Sequence, residues 1–422
     1  MRPEVQGAAI VLENKTGRIL AMAGGFSYAS SQLNRLTQSQ RQPGSALKPL
    51  TYLVALQKGL QPNTMVRDED ITFAPINGSK HEGAYWNPKN YDGKSFGRIT
   101  LRQAIADSRN QATASLLNRI ESKPELSLDR ICGLALELQI YRDCDRFYPF
   151  VLGAEPVRPI DLAAFYAAIA NEGVRPVPHA IDAIEENGKV IYRHQPSRVP
   201  TASVDPASFY QLKTMLQGVL QRGTAHAISD LAPYVAGKTG TSEDENDAWF
   251  VGFTNDVTVA VWVGYDNGDG RRRTLGTGQT GGHVALPIFG SIIDAVWEHG
   301  SAKSPLDPPS PEASRLLVSE HADRAGRDRS RGMGRGVEEA RGGRVRHRFS
   351  ERADRAASVS ATQWDWRGQW DWLGGGGVHQ TGWREGPTGA RREFSPGSPW
   401  SQSAAPSFGG RDNRSFGFFG RW

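Results

Sequence analysis

Cysteine is nearly absent: Cys132 and Cys144 are the only two in 422 residues. No network of bridges can therefore hold the chain together. Both are expected to serve as buried small hydrophobes, with pairing in an oxidising compartment the lesser alternative. No run approaches the ~20 consecutive apolar residues that a membrane-spanning helix needs. The start, Met1-Arg2-Pro3-Glu4-Val5-Gln6-Gly7, passes straight into a strand pattern and lacks the apolar segment of an export signal. Neither sign of charge is scarce, and a net +5 allows an anionic partner without demanding one. Apolar residues make up only 38%, low for a compact globule, and 47 glycines accompany them. That balance suggests a folded part diluted by an unfolded one.

The dilution has a place. After about Ser304, lysine, isoleucine, tyrosine and cysteine disappear, and arginine, glycine and serine dominate. Tryptophans then recur without helical or strand period, as in Trp364-Asp365-Trp366 and Trp370-Asp371-Trp372. Two parts are expected: a domain over 1–303, and a low-complexity tail over 304–422 that cannot offset its ordering entropy by burial.

Within the first part, residues 8–12 and 18–23 are apolar runs around Glu13-Asn14-Lys15-Thr16-Gly17, the pattern of a β-hairpin. Apolar spacing predicts helices from Gly44 to about Leu60, over about 100–119, 158–172 and 206–221, and over about Pro287–Glu298. Residues 61–98 read as a long irregular connection. Tyr234–Thr241, Ala248–Thr254 and Val257–Tyr265 read as strands. Strands at both ends of a helical middle imply an α+β fold whose sheet joins the two ends of the domain.

Three short motifs follow in order: Ser45-Ala46-Leu47-Lys48, Ser108-Arg109-Asn110 and Lys238-Thr239-Gly240-Thr241. Ser45 opens a helix, where partial positive charge favours a developing oxyanion. Lys48 is one turn on, so its amine can reach the Ser45 hydroxyl. An amine acts as a base near pH 7 only if its pKa falls, which burial and a second cation, Lys238, both promote. The Ser108 hydroxyl would relay a proton, and the Asn110 amide would hold a substrate peptide group. Thr239 and Thr241 can hydrogen-bond a carboxylate that Lys238 attracts, and Gly240 lets a ligand backbone approach. The N–H of Thr241 would join that of Ser45 as an oxyanion donor. Singly, S-x-x-K reads as a helix cap beside a solvated charge, and Ser108/Asn110 as a polar helix break. Lys15-Thr16-Gly17 repeats part of the third motif, but its setting is a hairpin turn and no catalytic role is expected of it.

With their flanks, these motifs resemble the penicillin-binding proteins, in particular the transpeptidase domain of the bifunctional (class A) members. The likeness spans roughly 3–300. It rests on Pro3–Gly7, Asn34-Arg35, Arg41–Pro49, Asn87-Pro88-Lys89-Asn90-Tyr91, Gly237–Ser242, Asp247–Gly252 and Ala285–Phe289. The resemblance implies the fold shared with serine β-lactamases, a five-stranded antiparallel sheet flanked by helices. It implies D,D-transpeptidation of peptidoglycan stem pentapeptides through an acyl-enzyme on Ser45, with β-lactams as inhibitors. Catalytic roles would fall to Ser45, Lys48, Ser108, Asn110 and Lys238, and substrate binding to Thr239, Gly240 and Thr241. No metal and no cofactor is expected. Family members work in the periplasm or on the outer face of the cytoplasmic membrane. The glycosyltransferase domain and anchor that precede this domain in bifunctional members are absent from the sequence, which reads as a fragment, a truncated product or a stand-alone module; a glycosyltransferase would be a partner.

Two alternatives stand beside this. A D,D-carboxypeptidase or β-lactamase would use the same scaffold, but no glutamate stands near a matching motif to activate a deacylating water. A non-catalytic module could bind nucleic acid through the Arg/Trp tail; a solvated tail is the simpler reading, and no nucleic acid partner is expected.

Overall fold

In the computed structural model, residues 4–76, 85–268 and 270–318 are described. In chain order the first half runs β1 (Val5–Glu13), β2 (Ile19–Ala23), α1 (Lys48–Gln57), β3 (Met65–Asp68), β4 (Gly97–Thr100), α2 (Leu101–Ala106), α3 (Asn110–Ser115), α4 (Leu117–Ile120) and α5 (Pro124–Glu137). The second half runs α6 (Pro159–Ala170), β5 (Val174–Pro176), β6 (Ala183–Glu186), β7 (Lys189–Arg193), β8 (Arg198–Pro200), α7 (Pro206–Arg222), β9 (Ala236–Thr241), β10 (Asp247–Phe253), β11 (Val257–Tyr265) and α8 (Gly281–Glu298).

The main sheet has five strands in the order β2-β1-β11-β10-β9, every neighbour antiparallel. Its middle joins the two ends of the domain, Val5 pairing with Tyr265 and Glu13 with Val257. A sheet wetted on one face would alternate apolar and polar residues. β11 reads Val-Thr-Val-Ala-Val-Trp-Val and is buried along that whole run, because helices cover both faces. α8 packs on β10 and β11 from one side; α6 packs on β11 and β1 from the other. Apart from Asp161, which pairs with Arg158 and Arg175, α6 is apolar all round and almost wholly buried, as a central helix must be.

The expected helix over 100–119 is broken into α2, α3 and α4. Ser108 takes a left-handed conformation (φ 56°), so the chain reverses there and a new helix starts at Asn110. The 61–98 connection carries β3 and β4, paired through Val66 and Ile99. α5 was not anticipated, although Leu128, Ile131, Leu134 and Ala135 lie on its buried face. α8 starts six residues before Pro287 and runs through it.

The cysteines are the clearest correction. Cys132 and Cys144 form a disulfide, with Cα atoms 5.7 Å apart. α5 ends at Glu137 and Gln139 turns left-handed (φ 51°), so the chain doubles back and brings Cys144 beside Cys132. Nothing in the cysteine spacing announces that reversal. Residues just past 303 also pack on the domain. Residues 311–318 are helical and Ala313 is fully buried, while Leu306 packs on the core and Asp307 O accepts from Lys213 Nζ at 3.1 Å. The rest of the expected tail, 319–422, lies outside the described residues.

Candidate active site

Ser45 lies on a 3-10 turn, Gly44–Leu47, that leads into α1. The turn is wedged against the end of β9. Gly44 has φ 50°, and a Cβ there would lie 2.3 Å from Thr241 O. A Cβ on Gly240 would lie 2.4 Å from Pro43 O and 2.9 Å from the Ala46 side chain. The missing side chain of Gly240 thus admits the serine's own turn, a different task from the ligand approach expected of it. Trp249 Nε1 donates to Gln42 O at 2.9 Å, Tyr166 Oη to Ala46 O at 2.7 Å, and Gly44 N to Gly153 O at 3.1 Å. Held from three sides, Ser45 is left half-buried at the mouth.

Lys48, one turn on, is fully buried. Its Nζ donates to Ser108 O at 2.6 Å and Asn110 Oδ1 at 2.7 Å, with Ser108 Oγ at 3.4 Å. Lys238 reaches the same hydroxyl from β9: its Nζ is 2.9 Å from Ser108 Oγ and 3.0 Å from Thr239 O. One hydroxyl therefore sits between two buried amines. Burial drives the Lys48 pKa well below the ordinary lysine value, and the Lys238 and Arg109 charges push the same way against Asp68. Burial alone lowers Lys238 to about 7. At neutral pH the cleft therefore holds an amine able to accept a proton.

Asn110 opens α3 with its amide oriented: Oδ1 faces Lys48 and Nδ2 donates to Lys89 O at 2.8 Å, leaving one N–H of that amide for a ligand. The Asn90 side chain accepts from the N–H groups of both Asn110 (2.7 Å) and Gln111 (3.1 Å) at the helix start. Arg109 turns inward; Nε meets buried Asp68 at 2.9 Å and Nη1 meets Asp92 at 2.9 Å, with the guanidinium 4.2 Å from the Phe96 ring centre. These bonds hold Ser108 in its strained conformation.

On β9, the Thr239 hydroxyl is 2.5 Å from that of Thr224, and Thr241 Oγ1 accepts from Gly281 N at 3.1 Å. Direct bonds thus join Lys48, Ser108, Asn110, Lys238 and Thr239, while Ser45 and Thr241 meet through the packed turn. Thr224, Asn90, Asp68 and Arg109's partners were missed. Gly223-Thr224 directly after an amphipathic helix was a visible signal for the first, and the family-like Asn87–Tyr91 stretch for Asn90; Asp68 and the other partners of Arg109 carry none, because ordinary polar residues in a loop look alike. Among the described residues, no group of three or more His, Cys, Asp or Glu is placed to hold a metal ion.

The family model "Penicillin binding protein transpeptidase domain" matches residues 7–130 and 153–294, well over half of the chain. The chain belongs to this family. It is 36% identical to penicillin-binding protein 1A of Rickettsia bellii over 342 residues, which is 76% of this chain and 41% of that protein. With penicillin-binding protein 1A of Aquifex aeolicus the identity is 39% over 289 residues, 68% of this chain and 37% of that protein. The chain therefore spans about two-fifths of these relatives' length. The crystal structure of penicillin-binding protein 1A from Haemophilus influenzae shares the fold, with TM-score 0.66, 24% identity, and coverage of 73% of this chain and 50% of that one. So does PonA1 of Mycobacterium tuberculosis in complex with penicillin V, with TM-score 0.60, 21% identity, and coverage of 74% and 83%. The penicillin-binding transpeptidase fold expected from the motifs is the observed one, and none of the described helices is long and apolar enough to cross a membrane.

Proposed function

We propose that this domain is a serine D,D-transpeptidase that cross-links peptidoglycan stem peptides and is acylated by β-lactams. The observation that carries this is the Ser108 hydroxyl held between the buried amines of Lys48 and Lys238, with Lys48 one turn on from Ser45. Ser45 Oγ attacks the carbonyl of the penultimate D-alanine while neutral Lys48 takes its proton. The backbone N–H groups of Ser45 and Thr241 stabilise the oxyanion. As the C–N bond breaks, Ser108 passes the proton from Lys48 to the departing D-alanine amine. Lys238, Thr239 and Thr241 hold the substrate carboxylate, and Asn110 holds the donor's peptide amide. The amine of a neighbouring stem then attacks the ester and loses a proton to Lys48, which returns it to the Ser45 oxygen as the ester C–O bond breaks. A penicillin presents a strained amide and a carboxylate to the same groups and stays on the serine.

The family's setting is extracytoplasmic, and the Cys132–Cys144 bridge supports a compartment where disulfides persist. A glycosyltransferase supplying glycan strands is the natural partner. The test is to label the chain with a fluorescent penicillin and map the labelled peptide. Label on Ser45, long-lived and abolished in Ser45→Ala, is expected. Label elsewhere, or undiminished label in the variant, overturns the site, and rapid turnover of the label makes the enzyme a hydrolase.

A further inference from the structure

The Asn87–Tyr91 stretch supplies Asn90 to the site, while Tyr91 faces outward. Tyr91 is 70% exposed, and its hydroxyl donates to Oε1 of Glu245 at 2.8 Å. The two come from opposite walls. Tyr91 follows Asn90, which is bonded to the start of α3. Glu245 lies in the turn between β9 and β10, where its N–H reaches Ser242 O, four residues beyond Thr241. Neighbouring links then close a ring: from the Ser45 turn to Lys48, to Asn110, to Asn90 and Tyr91, to Glu245, and through Ser242 and Thr241 back to Gly44. β9 ends the sheet, and among the described residues its second edge has no strand partner. An extended peptide could pair with that edge. Continuing past Thr241, such a peptide leaves the cleft where Glu245 stands.

We propose that Tyr91 and Glu245 form a latch across the outer end of the cleft and set donor specificity by size. A small acyl donor reaches Ser45 with the latch shut. A peptide stretched along β9 passes between the two residues and needs it open. The inference rests on Ser45 being the acylated serine. The bond to Glu245, followed by burial, raises the Tyr91 pKa, so the phenol stays a hydrogen-bond donor at neutral pH. A single bond between side chains at the surface is weak enough for a substrate to displace.

The experiment uses the full chain and the variants Tyr91→Phe, Glu245→Ala and their double. Two donors are compared: the bare penicillin nucleus, 6-aminopenicillanic acid, and a stem pentapeptide ending in D-Ala-D-Ala. Each single change is expected to raise kcat/KM for the peptide about three- to tenfold, the worth of one modest hydrogen bond. The double change adds nothing further, and acylation by the small donor stays within about twofold in all variants. Damage to the fold would slow both donors, so a selective gain separates a latch from a structural prop. Peptide rates that are unchanged or lower, or that move in step with the small donor, overturn the latch while Ser45 labelling stands. A chain that takes no label on Ser45 fails the underlying reading, and the latch with it.

Discussion

Lys238 Nζ donates a 2.9 Å hydrogen bond to Ser108 Oγ across 130 positions of sequence, and Lys48 Nζ approaches the same oxygen at 3.4 Å. Two amines converging on one hydroxyl in a buried cleft cannot both carry a full charge cheaply. That relationship governs both the chemistry and its dependence on pH.

Removing the Lys238 charge relieves Lys48. In Lys238→Met the pKa of Lys48 is expected to rise, since burial still lowers it but the neighbouring cation is gone. The acidic limb of the acylation rate profile should move to higher pH, and the rate at neutral pH should fall by a factor on the order of 10² or more, within the range for loss of acid–base function. Acylation by a chromogenic β-lactam, followed from pH 5 to 10, checks it; an unshifted limb counts against Lys48 as the base.

Stability should respond to the same groups. Both lysines have folded-state pKa values below their unfolded ones, so the unfolded chain binds more protons between about 7, where Lys238 sits, and the ordinary lysine value. Stability therefore rises with pH across that window and falls as pH drops through it. Buried Tyr52 and Tyr166, whose pKa values are raised by burial, oppose this only above about pH 10. Urea midpoints should be higher at about pH 9 than at about pH 7, with a smaller difference in Lys238→Met. A flat profile would contradict the burial of both amines.

Arg109 secures the middle motif from beneath. Its partner Asp68 has no exposed surface, and Arg109→Ala leaves that carboxylate without its cation. A loss of about 3–5 kcal/mol is expected, read from denaturant unfolding. Asp68→Asn with Arg109→Met should recover part of it, because both charges are then removed together.

Gly240→Ala tests the seat of the serine. The new methyl would fall 2.4 Å from Pro43 O, and a backbone atom cannot swing aside as a side-chain tip can. The Ser45 turn must shift, and a displacement near 1 Å costs about 10²-fold in rate. Penicillin acylation should drop by roughly that factor while circular dichroism stays near native. Normal acylation would mean the turn tolerates the push.

The disulfide closes a 12-residue separation. Reduction, or Cys132→Ser with Cys144→Ser, should lower stability by about 2–4 kcal/mol. The melting temperature of the wild-type chain should fall on adding reductant, and that of the double variant should not respond.

Periodicity made much of this architecture readable. The nearly unbroken apolar run of β11 and the apolar α6 state their burial locally, because covering both faces of an element leaves few positions for a polar residue; β9 is the exception, a covered strand whose Lys238 and Thr239 are buried for the site. The three motifs likewise named Ser45, Lys48, Ser108, Asn110 and Lys238 as candidates, although local helical spacing accounts only for the Ser45–Lys48 pair. Other features depended on long-range closure. The reversal at Ser108, the pairing of Cys132 with Cys144, the hold of Asp68 on Arg109 and the meeting of Tyr91 with Glu245 each join segments whose approach no local pattern encodes. Gly240 shows the division in one residue. Its sequence context announced that something must come close, and only the packed chain decided that the neighbour is Pro43, because what fills the space of a missing side chain is set by the whole fold.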